Sequence, residues 1–177
     1  MIRILAALAV LFCALPAMAQ KSGPQNTILL ETSKGNITIR LRPDLAPQHI
    51  ERIHTLVQDG FYNNAPFHRV IPGFMAQTGD GAKGDGTGRS KYPNLPAEFS
   101  KAPFKRGVVG MARAQDPNSG NSQFFIMYAD APHLDGLYTV IGEVVSGMEV
   151  VDKLKPGEPV QNPDRILRVQ FVVDAKR

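Results

Sequence analysis

Two hydrophobic rhythms alternate along this chain. In residues 27–31 and 36–41, apolar and β-branched side chains flank the turn residues Ser33, Lys34 and Gly35, which predicts two strands joined as a hairpin. The spacing then lengthens. Ile50, Ile53 and Val57 recur at helical intervals behind Pro47, with Asp44 or Ala46 before the proline and Gly60 as the stop, so a helix is expected to begin at Pro47. Short apolar runs return at residues 67–71, 74–78, 108–112, 123–127, 139–144 and 167–173, and residues 148–153 read as a second, shorter helix. Many short strands, Gly/Pro-rich turns and only two helices indicate a mainly β protein, either a closed antiparallel barrel or a sandwich. Closure would remove exposed edges, but periodicity does not choose between the two. No repeat or internal boundary interrupts residues 27–175, and the Gly-rich stretch 79–90 reads as a loop inside the domain.

The N-terminus follows neither rhythm. Arg3 supplies a positive charge, residues 4–15 form an uncharged apolar run, Pro16 breaks it, and Ala17-Met18-Ala19 provides small residues for a signal peptidase. The run is shorter than the roughly 20 residues a spanning helix needs. Residues 1–19 are therefore expected to be a cleaved signal peptide, 20–26 a flexible leader, and 27–177 a single domain in the periplasm or secreted beyond it. Cys13 raises the alternative of a lipoprotein anchor, against which the bulky Phe12 stands. Cleavage would remove the one cysteine, leaving neither a disulfide framework nor a cysteine nucleophile.

Composition narrows the classes further. The net charge of +4 falls by one with Arg3 and is spread evenly, which argues against nucleic acid or a membrane surface as partner. No second apolar run approaches spanning length, so no membrane insertion is expected after cleavage. Gly79-Asp80-Gly81-Ala82-Lys83-Gly84 satisfies G-x-G-x-x-G in form. More glycine and then Tyr92-Pro93-Asn94-Leu95-Pro96 follow it where a nucleotide site would need a helix. His49 and His54 are five apart, His68 and His133 lie in separate segments, and no H-E-x-x-H occurs, so the histidines read as solvated or core-edge and no metal or other cofactor is expected. G-x-S-x-G is also absent. Asn36-Ile37-Thr38 is a glycosylation sequon in form, relevant only in a eukaryotic secretory host.

The distinctive stretch is FHRVIPGFMAQTGD at residues 67–80. If Val70 faces the core, alternation turns Arg69 and Ile71 outward, and past the Pro72-Gly73 turn Met75 and Gln77 share a face. A guanidinium, an amide and a thioether would then meet on one patch, although an ordinary strand pair with a surface arginine fits this segment equally well. A second segment, GMARAQDPNSGNSQFFIM at residues 110–127, sets Gln123 beside Phe124 and Phe125, and a third, Leu134-Asp135-Gly136, precedes the strand at Thr139.

Together with GTGRS from Gly86, these segments resemble the cyclophilin family in order and spacing, across about residues 27–173. The resemblance implies a closed eight-stranded antiparallel β-barrel capped by two α-helices, with a groove on its outer face. It implies a peptidyl-prolyl cis-trans isomerase acting on proline-containing segments of exported proteins, as a monomer. By position, Arg69, Phe74 and Gln77 are the expected catalytic set. Met75, Ala112, Arg113, Gln123, Phe125, His133, Leu134 and Tyr138 are expected to bind substrate, with the proline ring against Phe74, Met75, Phe125 and Leu134. The chain departs from the family in three places. His133 replaces a frequent tryptophan that contacts cyclosporin, so weak cyclosporin binding is expected. Tyr138 stands where many relatives have histidine, and Arg113 where many have asparagine. The segment 115–121 also runs about one residue longer than in common eukaryotic relatives. The alternatives are a non-catalytic proline-peptide-binding module or holdase, and, more distantly, a lipocalin-type carrier that binds inside its barrel.

Overall fold

A computed structural model describes residues 26–172. The expected signal peptide and nearly all of the leader lie outside the described residues, as do residues 173–177. Eight strands, β1 (Thr27–Thr32), β2 (Gly35–Leu41), β3 (Arg69–Ile71), β4 (Met75–Thr78), β5 (Val108–Met111), β6 (Phe124–Met127), β7 (Val140–Ser146) and β8 (Ile166–Phe171), accompany two helices, α1 (Pro47–Gln58) and α2 (Met148–Val151). The strands form one antiparallel sheet in the order β3-β4-β6-β5-β7-β2-β1-β8.

The closed barrel expected from the resemblance is not what the pairings form. The sheet curves into an open half-barrel whose edges, β3 and β8, share no ladder. The chain leading into β8 spans the gap instead. Val70 and Gly157 exchange both backbone hydrogen bonds at 2.8 and 2.9 Å, Val160 N–H donates to the His68 carbonyl at 2.9 Å, and Phe67 N–H donates to the Asp164 carbonyl at 2.8 Å. Pro156, Pro159 and Pro163 lie in this span, and each lacks the N–H a regular ladder requires. Isolated bridges therefore replace an eighth pairing.

Period-two alternation divides the sheet's side chains between two apolar clusters. Leu30, Ile37, Ile39, Val109, Ile126 and Ile141 enter the main core, with Ile50, Ile53 and Leu56 of α1 packed among them. Met75, Phe104, Phe125, Met127, Leu134 and Val140 form a smaller cluster on the opposite face. The helical register read from Ile50, Ile53 and Val57 is thus the buried one. Ala46, at the N-cap of α1, has no side chain to cap with. Glu98, from a distant loop, accepts the amides of Gln48 and His49 at 3.1 and 3.0 Å and the His49 ring nitrogen at 2.6 Å. His49 is buried, so the solvated reading of that histidine gives way to an internal pair. Burial holds its imidazole below the ordinary 6.5, only partly offset by Glu98. Burial acts to raise the Glu98 carboxyl, but its hydrogen bonds from His49 and the helix amides outweigh that and hold it below 4.5.

Candidate active site

The site grows from the β3–β4 hairpin. Arg69 pairs with Gln77, Val70 with Ala76 and Ile71 with Met75. Val70 and Ala76 belong to the main core. Alternation then sets Arg69, Ile71, Met75 and Gln77 on the outward face, as the sequence pattern predicts. Phe74 sits at the turn, its amide donating to the Ile71 carbonyl at 3.0 Å. On the next strand Phe125 lies opposite Gln77, and beyond it Gly110 of β5 lies opposite Phe125. A Cβ at Gly110 would come within 2.4 Å of the Phe125 ring and 2.7 Å of Phe104. Only a bare backbone lets the aromatic ring lie down across β5.

These elements enclose a surface cavity of about 220 Å³, lined by Arg69, Phe74, Met75, Gln77, Ala112, Arg113, Phe125, Leu134 and Tyr138. Nine of the eleven residues singled out in the sequence therefore meet in one place. Leu134 arrives on a 3₁₀ turn, Pro132–Leu134. That turn is tied down at its end by Asp135, which accepts the Phe104 amide at 2.7 Å. His133, the tenth, stacks on Phe74 with ring centroids 5.9 Å apart and planes at 26°. Its ring backs the Phe74 wall.

Gln123, the eleventh, lies behind the cavity in a hydrogen-bonded chain. Arg69 Nη1 donates to Gln77 Oε1 at 3.5 Å, Gln77 Nε2 to Gln123 Oε1 at 2.9 Å, and Gln123 Nε2 to the carbonyls of Gly86 and Gly88 at 2.9 and 2.8 Å. Those carbonyls belong to the Gly-rich loop, where no helix starts, so it lacks the helix N-terminus a dinucleotide fingerprint requires. The loop folds around Asp80, whose buried carboxylate accepts the amides of Ala82, Lys83, Gly86 and Gly88 at 2.8–3.2 Å. Burial works to raise the Asp80 carboxyl, yet backbone N–H donors including Lys83 and Gly88 pull it below its usual range. At Gly88 a Cβ would overlap Asp80 Oδ1, 2.0 Å away, so the cage demands glycine there.

A second cavity of about 270 Å³ adjoins the first and shares Gln77, Ala112 and Arg113 with it. Arg113 does more than present its backbone. Its guanidinium lies 4.4 Å over the Tyr138 ring and donates to the carbonyls of Leu137, Ala114 and Gln115. The charge that replaces the family's asparagine is thereby pinned at the rim.

Two participants escaped the sequence reading. Glu158 accepts from Arg69 Nε at 2.5 Å, at 38% and 56% side-chain exposure for the arginine and the glutamate respectively, so this pair is open to water rather than buried. Nothing in the local pattern around Glu158 announces it. Asp80 had a usable signal, a lone carboxylate opening a run of glycines whose free amides need an acceptor. Among the described residues no group of three or more His, Cys, Asp or Glu is placed to hold a metal ion.

Comparison with known proteins adds findings of three kinds. A family model described as cyclophilin type peptidyl-prolyl cis-trans isomerase/CLD matches residues 27–171. A probable peptidyl-prolyl cis-trans isomerase of Brucella suis biovar 1 (strain 1330) is 54% identical over 89% of this chain and 88% of its own. A peptidyl-prolyl cis-trans isomerase of Synechococcus elongatus is 43% identical over 83% and 97%. Among solved structures, a cyclophilin from Hirschia baltica superposes with a TM-score of 0.78 at 30% identity, over 86% of this chain and 76% of that one. A Cryptosporidium parvum cyclophilin type peptidyl-prolyl cis-trans isomerase, crystallised in the presence of the dipeptide Ala-Pro, gives 0.76 at 27% identity, over 82% and 98%.

Proposed function

The chain belongs to the cyclophilin-type peptidyl-prolyl cis-trans isomerases, and from that premise we propose that Arg69 and the cavity beside it turn prolyl bonds in exported proteins. The amide resists rotation because resonance gives its C–N bond double-bond character, with a barrier of about 18–20 kcal/mol. Prolyl bonds populate both isomers but exchange over roughly tens to hundreds of seconds. No bond needs to be attacked. Phe74, Met75, Phe125 and Leu134 hold the proline ring. Arg69 donates a hydrogen bond to the prolyl nitrogen as that atom loses conjugation and regains its lone pair. Gln77 and the backbone at Ala112 and Arg113 hold the flanking peptide groups while the other side rotates. Only a donor that meets the twisted state more strongly than either planar isomer speeds the reaction.

The observation that carries this reading is the meeting of a guanidinium and an apolar cavity on one outward face. The test is the refolding of a protein limited by a prolyl bond. Arg69→Ala is expected to lower kcat/KM by about 10²-fold, the loss typical of a donor aimed at a transition state. Equal acceleration by both proteins would overturn the role of Arg69 in an isomerase, and no acceleration by either would leave a proline-peptide-binding module or holdase.

The stacked imidazole of His133 offers less apolar area than a tryptophan, so cyclosporin is expected to bind weakly. His133→Trp should tighten cyclosporin binding by about tenfold or more, the scale of a well-formed aromatic contact, with prolyl isomerisation little changed. Titration of both proteins with cyclosporin checks this. Residues 1–19 act as the signal peptide and place the mature monomer in the periplasm, on the reading of Arg3, the apolar run and Ala17-Met18-Ala19.

A further inference from the structure

Arg69 stands on β3, an edge strand, and is more than a third exposed. A long side chain in that position has many rotamers open to it. Its guanidinium has five N–H donors in a fixed fork. Glu158 takes the Nε–H at 2.5 Å, while one Nη1–H points to Gln77 at 3.5 Å. Those two contacts fix the plane of the fork, and Nη2 makes no hydrogen bond among the described residues. Glu158 does not line the cavity.

The backbone that carries Glu158 is itself fastened on both sides of Arg69. One residue before it, Gly157 exchanges two hydrogen bonds with Val70; two residues after it, the Val160 amide donates to the His68 carbonyl. Val70 and His68 are the chain neighbours of Arg69. The carboxylate is therefore held by the same three-residue stretch whose side chain it aims.

We infer that Glu158 is a positioning residue for the isomerase reaction, orienting the Arg69 guanidinium toward the prolyl nitrogen through its Nε edge. This rests on the reading of Arg69 given above. Being exposed, the pair adds little to stability, and its effect falls on the reaction. A donor aimed in advance needs no reordering as the bond twists.

The test compares wild type with Glu158→Ala, Glu158→Gln, Arg69→Ala and the Arg69→Ala/Glu158→Ala pair, using a proline-containing peptide and thermal unfolding. Glu158→Ala should lower kcat about 5- to 10-fold, by loss of orientation, with KM and Tm little moved. Glu158→Gln keeps an acceptor for Nε–H and should recover most of the rate. Removing Glu158 from the Arg69→Ala protein should change nothing further. In the ¹H–¹⁵N spectrum of the wild type, the Arg69 Nε–H should exchange slowly, and quickly in Glu158→Ala. Full activity in Glu158→Ala, or a rise in kcat, overturns the inference, as does failure of glutamine to rescue. If Arg69→Ala is inactive while Glu158→Ala is unaffected, only the positioning role falls. If Arg69→Ala retains full activity, the role of Arg69 falls and takes this one with it.

Discussion

The two faces of strands β4, β6 and β5 are built from neighbouring residues and do different things. Ala76, Phe124, Ile126 and Val109 point inward to an apolar core against which α1 packs, and all four are buried. Met75, Gln77 and Phe125 point outward to a cluster left open on one side, where amides and a guanidinium border the aromatic floor. One step along the backbone separates stability from chemistry. The inner face can be judged by how well it excludes water; the outer face is a partial core left open, where the proposed function seats the proline ring.

If that division is sound, substitutions on adjacent residues should fail in different measurements. The largest expected effect is on the inner face. Ile126→Ala, at a fully buried position, should destabilise the fold by about 2–5 kcal/mol. Denaturant unfolding checks this, while kcat/KM per folded molecule stays within about twofold. A fall in rate without a fall in stability would dissolve the distinction. Gly110→Ala is a smaller and sharper probe because it forces a methyl group under Phe125. Overpacking should cost about 1–3 kcal/mol, and the displaced ring should weaken binding of a proline peptide in direct titration. Unchanged peptide affinity would show that the ring's posture across β5 does not shape the cavity.

The third effect is graded by pH and belongs to the inner side. His49 is held below 6.5 in the fold and Glu98 below 4.5. The unfolded chain therefore takes up protons first at both groups. Stability is fully present above pH 6.5 and falls as acid is added, first through the imidazole and then, below 4.5, through the carboxyl. Unfolding free energies measured at pH 7, 6, 5 and 4 should decline in that order. A flat profile over this range would mean that the Glu98 cap contributes nothing. No carboxylate or imidazole lines the outward cavity itself.

Much of this was legible in the chain because it is local. Alternation in residues 67–78 gives the outward set Arg69, Met75 and Gln77 without any knowledge of the fold. The α1 register follows from three apolar positions, and the family motifs bring Phe125, Leu134 and Tyr138 to the same cavity. What escaped is what depends on distant partners. Glu158 lies 89 residues from Arg69, and Glu98 caps a helix that starts about fifty residues before it; no periodicity encodes either meeting. Closure was overestimated for a related reason. Strand counting registers eight strands but not the prolines at 156, 159 and 163 that keep the last seam from becoming a ladder.

That seam carries a temporal consequence. The stretch that fastens β3 to β8 is also the one that brings Glu158 to Arg69, and β8 is the second neighbour of β1, the first strand described. A chain delivered N-terminus first must therefore wait, with one border of its opening hairpin unsatisfied, until β8 follows. Architecture and the setting of Arg69 are completed together, by a segment 89 residues downstream of it.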